Sequence, residues 1–365
     1  MSFSAADHAF MACALQLAQR GLYSTTPNPR VGCILVRDGK VIGEGWHERA
    51  GLPHAEAGAL AATVGAGDTA RGATVYVTLE PCSHFGRTPP CADALIEAGV
   101  VRVVAAMRDP NPLVAGQGLA RMAAAGIEAV SGLLEAEATE LNIGFVSRMT
   151  RGRPWLRLKV AASLDGKTAL NNGVSQWITG PEARRDAHAW RARSCAVLTG
   201  IGTVRDDNPR LTVREVQTAR QPLRVVIDSR LETPPDATVL EGGHVLIAAA
   251  QDDAGRRAAL SARGAEIVLL PNALGKVDLA ELLRELGRRG INEVLAEAGT
   301  RLNGSLLREN CVDELLIYQA PILIGDAARG MFGLGEITDL AGARRLHIIE
   351  RRAVGADFRI RARFA

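Results

Sequence analysis

Long apolar runs are missing from this chain of 365 residues: hydrophobic side chains make up 47% of it, but they come in short stretches broken by Gly and charged residues. None approaches the roughly 20 consecutive apolar residues that cross a bilayer, so no membrane span is expected. A basic leader is missing as well. The N-terminus, MSFSAADHAFMACALQLAQR, carries acidic Asp7 early and reads as an amphipathic helix, not a signal peptide, so a cytoplasmic location is expected. Neither charge is in excess. Forty-three Lys and Arg against 40 Asp and Glu leave a net charge of +3, too balanced for a protein that holds nucleic acid electrostatically, while small anionic ligands stay open. Cysteine is sparse. The six, at positions 13, 33, 82, 91, 195 and 311, are too irregular for a disulfide scaffold and suit free thiols plus a metal pair. Cys13, Cys33, Cys195 and Cys311 are expected to be buried small hydrophobes. Internal repeats, low-complexity tracts and charge blocks are also absent.

What is present is the pattern of a two-domain α/β protein, since this length exceeds what one core usually serves. An opening helix precedes strands near VGCILVRDG and GKVIGEGWH, a helix from about His54, and the strand ATVYVTLE. After the loop PCSHFGRTPPC come the helix ADALIEAG, the strand VRVVAAM, the turn-rich DPNPLVAGQG, another helix, and a last helix around LEAEATELNIGFVSRM. TRGRPW, with its Gly, Pro and basic residues, is the best linker, which divides the chain into domains 1–150 and 151–365. In the second domain, strands LRLKVAASLDG, CAVLTG, LRVVIDS, HVLIAAA and EIVLL alternate with helical PEARRDAHAWRAR and LAELLRELGRRG, which predicts a mostly parallel sheet.

The chemistry concentrates in His54-Ala55-Glu56, followed after one helix and one strand by Pro81-Cys82 and then Pro90-Cys91. One imidazole, two thiolates and a carboxylate not needed as a ligand match the zinc deaminase pattern. Three protein ligands, His54, Cys82 and Cys91, leave the fourth tetrahedral position open to water whose pKa the metal lowers toward neutrality. Glu56 then has the task of moving a proton from that water to the departing amine. The loop between the cysteines is longer than in the common C-x-x-C form. A structural zinc or two unconnected thiols are the bland alternatives, but a structural site would usually recruit a fourth ligand.

The segments TPNPRVG, HAEAGAL, TLEPCSHFGRTPPC, DPNPLVAGQG, ASLDGKTA, SQWITG, DDNPRLTVR and EAGTRLNGSLL, in this order, closely resemble the bifunctional riboflavin-biosynthesis deaminase/reductase family. The resemblance implies a cytidine-deaminase-like three-layer N-terminal domain and a dihydrofolate-reductase-like α/β C-terminal domain. The first would deaminate 2,5-diamino-6-(5-phosphoribosylamino)pyrimidin-4-one, with Asn28 and His47 near the substrate. The second would reduce the ribosyl group of the product, 5-amino-6-(5-phosphoribosylamino)uracil, to ribityl with NADPH. The expected partner is this small phosphorylated pyrimidine, with no nucleic acid and no membrane, and the chain is expected to form a homo-oligomer, a dimer or tetramer.

Read from residues alone, the second half has no G-x-G-x-x-G after its first strand and no Walker lysine. The run from Val294 to Ser305 looks like a buried strand, a glycine turn and a helix start that would aim N–H groups at a phosphate, with Arg301 adding a cation. The resemblance implies that Ala161, Trp177, Thr203, Asp207, Ser229 and the turn Gly299, Thr300, Arg301, Leu302, Asn303, Gly304, Ser305 hold NADPH. It implies that Lys159, Ser175, Arg191, Leu211, Arg214 and Glu297 hold substrate. Lys159, Arg191 and Arg214 could converge on the sugar phosphate, because guanidinium groups grip phosphate oxygens bidentately. Asp207 and Glu297 are the candidates for the acid that protonates the opened sugar. A nucleic-acid base deaminase and a nucleotide-sensing binding protein are the rival readings; near-neutral charge argues against the first and intact Glu56 with all three ligands against the second.

Overall fold

The computed structural model describes residues 3–84, 89–112 and 114–365, so the middle of the inter-cysteine loop and Leu113 of the turn-rich segment lie outside the described residues. The chain divides after Gly152 into two compact units.

In the first unit, α1 (Ala5–Gln19), β1 (Gly32–Arg37), β2 (Lys40–Trp46), α2 (Ala55–Gly65), β3 (Thr74–Val77), α3 (Cys91–Glu97), β4 (Arg102–Ala105), α4 (Gln117–Ala124), β5 (Glu128–Ser131), α5 (Glu135–Leu141) and α6 (Ile143–Arg151) follow in order. The sheet runs β2-β1-β3-β4-β5. Its β1 pairs antiparallel with both neighbours, and β3, β4 and β5 run parallel. A capping box starts α1: Ser4 Oγ accepts from the Asp7 amide while the Asp7 carboxylate accepts from the Ser4 amide. The same carboxylate receives Tyr76 (2.7 Å) and Arg102 (2.6 Å), which tie α1 to β3 and β4 and hold its pKa well below the usual carboxylate range despite burial.

Two glycines set the layers. A Cβ on Gly32 would lie 2.0 Å from the Ala14 carbonyl of α1, and one on Gly45 would lie 2.2 Å from the Ala55 carbonyl of α2. Gly45 is paired with Cys33, the neighbour of Gly32. Successive residues of a strand face opposite sides, so α1 and α2 cover opposite faces of the sheet and make the three layers. The close approach at Gly45 also brings the first turn of α2 down onto the sheet.

Three expectations change here. The last helix of the unit is two, α5 and α6, separated at Asn142, whose buried side chain accepts from the Arg30 amide (2.8 Å) and donates to the Arg30 carbonyl (2.9 Å). The short strand β5, with one half-buried face, carries too little apolar pattern to read from sequence. Cys13 is exposed, because α1 buries Met11, Ala14, Leu15 and Ala18 and turns position 13 outward; Cys33, Cys195 and Cys311 are buried.

The second unit contains β6 (Trp155–Ser163), β7 (Lys167–Ala169), α7 (Pro181–Arg193), β8 (Ala196–Gly200), α8 (Ile201–Asp207), β9 (Leu223–Ile227), β10 (Val245–Ala249), α9 (Ala254–Ser261), β11 (Ala265–Leu269), α10 (Leu279–Arg288), β12 (Glu293–Ala296), α11 (Thr300–Arg308), β13 (Glu314–Ala320), β14 (Arg329–Gly330), β15 (Leu346–Val354) and β16 (Asp357–Phe364). Nine strands make one sheet in the order β11-β10-β9-β8-β12-β6-β13-β16-β15. The pairs from β11 to β13 are parallel, and the C-terminal hairpin is added antiparallel on the β13 side. Strands β8, β10 and β12 are buried throughout, as two-sided cover demands. One ionic cluster interrupts the apolar core: fully buried Arg157 binds Glu293 and Glu314, and the Arg157, Arg193, Arg359 and Arg361 guanidinium groups lie 5.0–5.6 Å from the Trp190 ring.

Candidate functional sites

The first site forms where two helices begin. His54 is the N-cap of α2 and makes no capping hydrogen bond, so its ring is free; Cys91 is the first residue of α3; Cys82 lies in the segment after β3. His54 Nδ1 stands 3.6 Å from Cys82 Sγ and 3.4 Å from Cys91 Sγ, and all three donor atoms lie within 4.8 Å of one another. Bond lengths of about 2.3 Å to sulfur and 2.0–2.1 Å to nitrogen make the N–S edge of a zinc tetrahedron about 3.6 Å, so the donor set fits that ion. Charge agrees. The Cys91 thiol and His54 hold Cys82 well below the usual thiol range, while the Cys82 sulfur and burial push Cys91 up, and the Cys91 amide donates to Cys82 Sγ (3.3 Å). A cation resolves that crowding of negative charge.

Glu56 is 4% exposed, and burial pushes its carboxyl up to about 7; its side chain meets Cys91. His47 Nδ1 donates to the Pro53 carbonyl (3.0 Å), which leaves Nε2 to accept from Asn28 Nδ2 (3.0 Å), and the His47 ring stands edge-on to His54 with centroids 5.5 Å apart. The fold thus gathers Asn28, His47, His54, Glu56, Cys82 and Cys91.

Sequence reasoning missed Glu80. Buried two residues before Cys82, its carboxylate accepts four backbone N–H groups, from Asp109 (3.1 Å) and Gly116 (2.9 Å) at one oxygen and from Gly118 (2.9 Å) and Leu119 (3.2 Å) at the other. The segment after β4 is thereby anchored beside the cysteine segment, and half-buried Asp109, whose carboxyl is raised by burial, lies in it. The signal available in sequence was an acidic residue inside the apolar strand end TLEPC.

The second site is a cavity of about 1420 Å³ in the second unit, built at the carboxyl ends of parallel strands, where open α/β sheets bind ligands. Lys159 and Ala161 come from β6 and Glu297 follows β12; Ser229 follows β9. The helices α8 and α11 both begin on the cavity, at Gly200–Thr203 and Gly299–Leu302, and the first-turn N–H groups of a helix have no partner within it. Trp177 is exposed, with the Arg184 guanidinium 4.7 Å over its ring, and Ser175 Oγ donates to Asp207 (3.0 Å), both on the wall with Leu211.

The turn does not lie on the cavity along its whole length. Asn303 is buried and donates to the Met331 carbonyl, a Cβ on Gly304 would lie 2.1 Å from the Gly333 carbonyl, and Ser305 Oγ accepts from Arg308; these three face the 331–333 segment and their own helix. A helix start exposes its first turn only, and the next turn rolls into the protein.

The cationic trio also divides. Arg191 donates Nε (2.5 Å) and Nη2 (3.0 Å) to Glu297 and Nη1 to the Thr212 carbonyl (3.2 Å), so each nitrogen is engaged within the protein. Lys159 reaches the same carboxylate at 3.5 Å. These two cations overcome burial and hold Glu297 down to about 2, so it stays ionised and is unsuited to protonating a sugar. Exposed Asp207 remains. Among the described residues the Arg214 guanidinium bonds Thr212 Oγ1 alone, through Nη1, and the rest of its fork is left on the cavity wall.

Residues 154–359 match the family described as the RibD C-terminal domain, and residues 4–107 match the cytidine and deoxycytidylate deaminase zinc-binding region. The chain is 50% identical to the riboflavin biosynthesis protein RibD of Escherichia coli K12, over 96% of this chain and 97% of that one. It is 46% identical to that of Haemophilus influenzae, over 99% and 98%. Among solved structures, Acinetobacter baumannii RibD superposes with a TM-score of 0.91 at 43% identity, covering 99% of both chains. The Thermotoga maritima diaminohydroxyphosphoribosylaminopyrimidine deaminase/5-amino-6-(5-phosphoribosylamino)uracil reductase does so with a TM-score of 0.89 at 34% identity, covering 99% of both. With both halves matched in order along the full length, the chain belongs to the family of bifunctional riboflavin-biosynthesis deaminase/reductases.

Proposed function

We propose that residues 1–150 deaminate 2,5-diamino-6-(5-phosphoribosylamino)pyrimidin-4-one and that residues 151–365 reduce the ribosyl group of the product to ribityl. The observation that carries the first half is the His54, Cys82 and Cys91 donor set with buried Glu56 against it. Zinc held by those three residues supplies the Lewis acidity that makes water nucleophilic near neutral pH. Glu56 takes the proton of the attacking water and hands it to the leaving amine. The Asn28–His47 pair orients the pyrimidine, and the Glu80-anchored segment walls it.

In the second half, NADPH supplies the hydride. The first turns of α8 and α11 donate to its phosphates, with Arg301 adding charge, while Ala161, Trp177, Thr203, Asp207 and Ser229 line its course. Lys159, Ser175, Leu211 and Arg214 face the substrate, and Arg191 acts on it through Glu297. With NADPH and substrate bound, the cavity walls would hold the two together and shield the hydride transfer from water. Incubating the purified chain with the phosphoribosyl diaminopyrimidinone, with and without NADPH, and weighing the products by mass spectrometry tests both steps. Ammonia release without NADPH and a further gain of two hydrogens with it are expected; failure of either removes that half.

No helix among the described residues is long and apolar enough to cross a membrane. A homodimer is supported by β15, an edge strand whose Leu346, Ile348 and Ile349 are exposed. Ile348→Lys should halve the mass measured by light scattering; an unchanged mass places the interface elsewhere.

A further inference from the structure

His188 is used by neither chemistry above. It lies on α7 one turn before Arg191, is 7% exposed, and its Nδ1 accepts the backbone N–H of Arg214 (3.2 Å). An accepting nitrogen carries no proton, so the neutral ring holds its single proton on Nε2. Nε2 has no hydrogen-bond partner among the described residues, yet it is not enclosed by protein. It therefore opens onto the cavity, whose wall His188 shares with Lys159, Arg191, Arg214 and Glu297.

The charges around the ring come from three directions: Arg191 on its own helix, Arg214 and Glu215 on the segment before β9, and Glu297 after β12. Burial, Arg191 and Arg214 together hold the ring down to about 4 against the two carboxylates, so it is uncharged at neutral pH. The nearby wall already carries three cations, Lys159, Arg191 and Arg214, against two anions, Glu215 and Glu297. A fourth cation would add repulsion, whereas an N–H without charge can satisfy an acceptor oxygen at no such cost.

We propose that His188 is a specificity residue of the reductase site, its Nε2–H donating to a phosphate oxygen of the substrate beside the open fork of Arg214. The assignment rests on the reading of the second half as an enzyme of a phosphorylated sugar. A dianion placed there also favours the protonated ring, so bound phosphate raises the pH at which His188 titrates.

The first test needs no variant. With ¹⁵N-histidine-labelled protein, ribose 5-phosphate should shift the His188 Nε2 resonance and move its titration upward, while ribose should do neither; an unmoved Nε2 overturns the proposal. The second test compares reduction of the phosphorylated substrate with its dephosphorylated counterpart. His188→Phe keeps ring volume and should raise KM for the phosphorylated substrate about tenfold, the loss expected for a hydrogen bond to a charged acceptor, with kcat held. His188→Gln, which places an amide N–H near Nε2, should recover most of it. Equal losses on both substrates would mean that His188 merely props the Arg214 segment. Wild-type protein that does not distinguish the two substrates would defeat the sugar-phosphate reading itself, and that control is read before any variant.

Discussion

Replacing Arg191 with Met should expose how strongly the second unit depends on one buried ion pair. The substitution keeps most of the side chain's length but leaves Glu297 with Lys159 alone, at 3.5 Å. A carboxyl that titrates near 2, against an ordinary 4.5, is favoured in its charged form by about 3 kcal/mol, which agrees with the roughly 3–5 kcal/mol lost when a buried pair is broken on one side. For a unit of this size that corresponds to a fall in melting temperature of about 6–12 °C at neutral pH. Three of the four tryptophans, Trp155, Trp177 and Trp190, lie in this unit, so fluorescence follows it. The sign of the pH dependence is set by the depressed folded value. In the wild type the contribution is complete above about pH 4.5 and is lost as pH falls through 2, because the unfolded chain binds the proton first. In Arg191→Met the carboxyl protonates more readily, so the gap between the proteins should narrow from neutral pH toward pH 3. Adding Glu297→Gln removes the stranded charge and should recover part of the loss. A gap that stays constant with pH, or a double variant whose loss equals the sum of the two singles, would refute the reasoning.

Glu56→Gln should retain zinc by elemental analysis and lose about 10²–10⁴ of the deamination kcat, because the amide keeps the shape without carrying the proton; near-normal ammonia release removes Glu56 from that role. His54→Ala, or chelation of the wild type, should strip the metal and abolish deamination while reduction of supplied deaminated substrate stays within about twofold, since separate units carry the two sites. Parallel loss of both activities in a folded protein would refute that independence.

The metal site was legible because its chemistry is local: ligand types appear at the starts of two helices, and a helix start is a readable feature. Arg191 was legible only as a cation. Its partner Glu297 lies 106 residues away, and nothing short of the folded sheet shows that the pair exists. Asn303 and Gly304 belong to a readable glycine turn, but the direction in which the second turn of α11 faces depends on the 331–333 segment packed against it. The break between α5 and α6 has the same origin, since Asn142 serves the backbone of a residue 112 positions earlier. His188 carried a signal in DAHAWRAR, one helical turn from Arg191, but its tautomer is set by the amide of Arg214.

The anchoring of residues 109–119 by Glu80 bears on how this enzyme family can change. Every bond to that carboxylate comes from main-chain N–H groups, which almost any substitution leaves in place. Exposed side chains such as that of Ala115 leave these bonds untouched, whereas Gly116, at φ 80°, and Gly118, where a Cβ would lie 2.0 Å from the Pro81 carbonyl, admit no side chain without moving the chain. The path of the chain beside the cysteines thus hangs on three residues, one acidic and two without side chains.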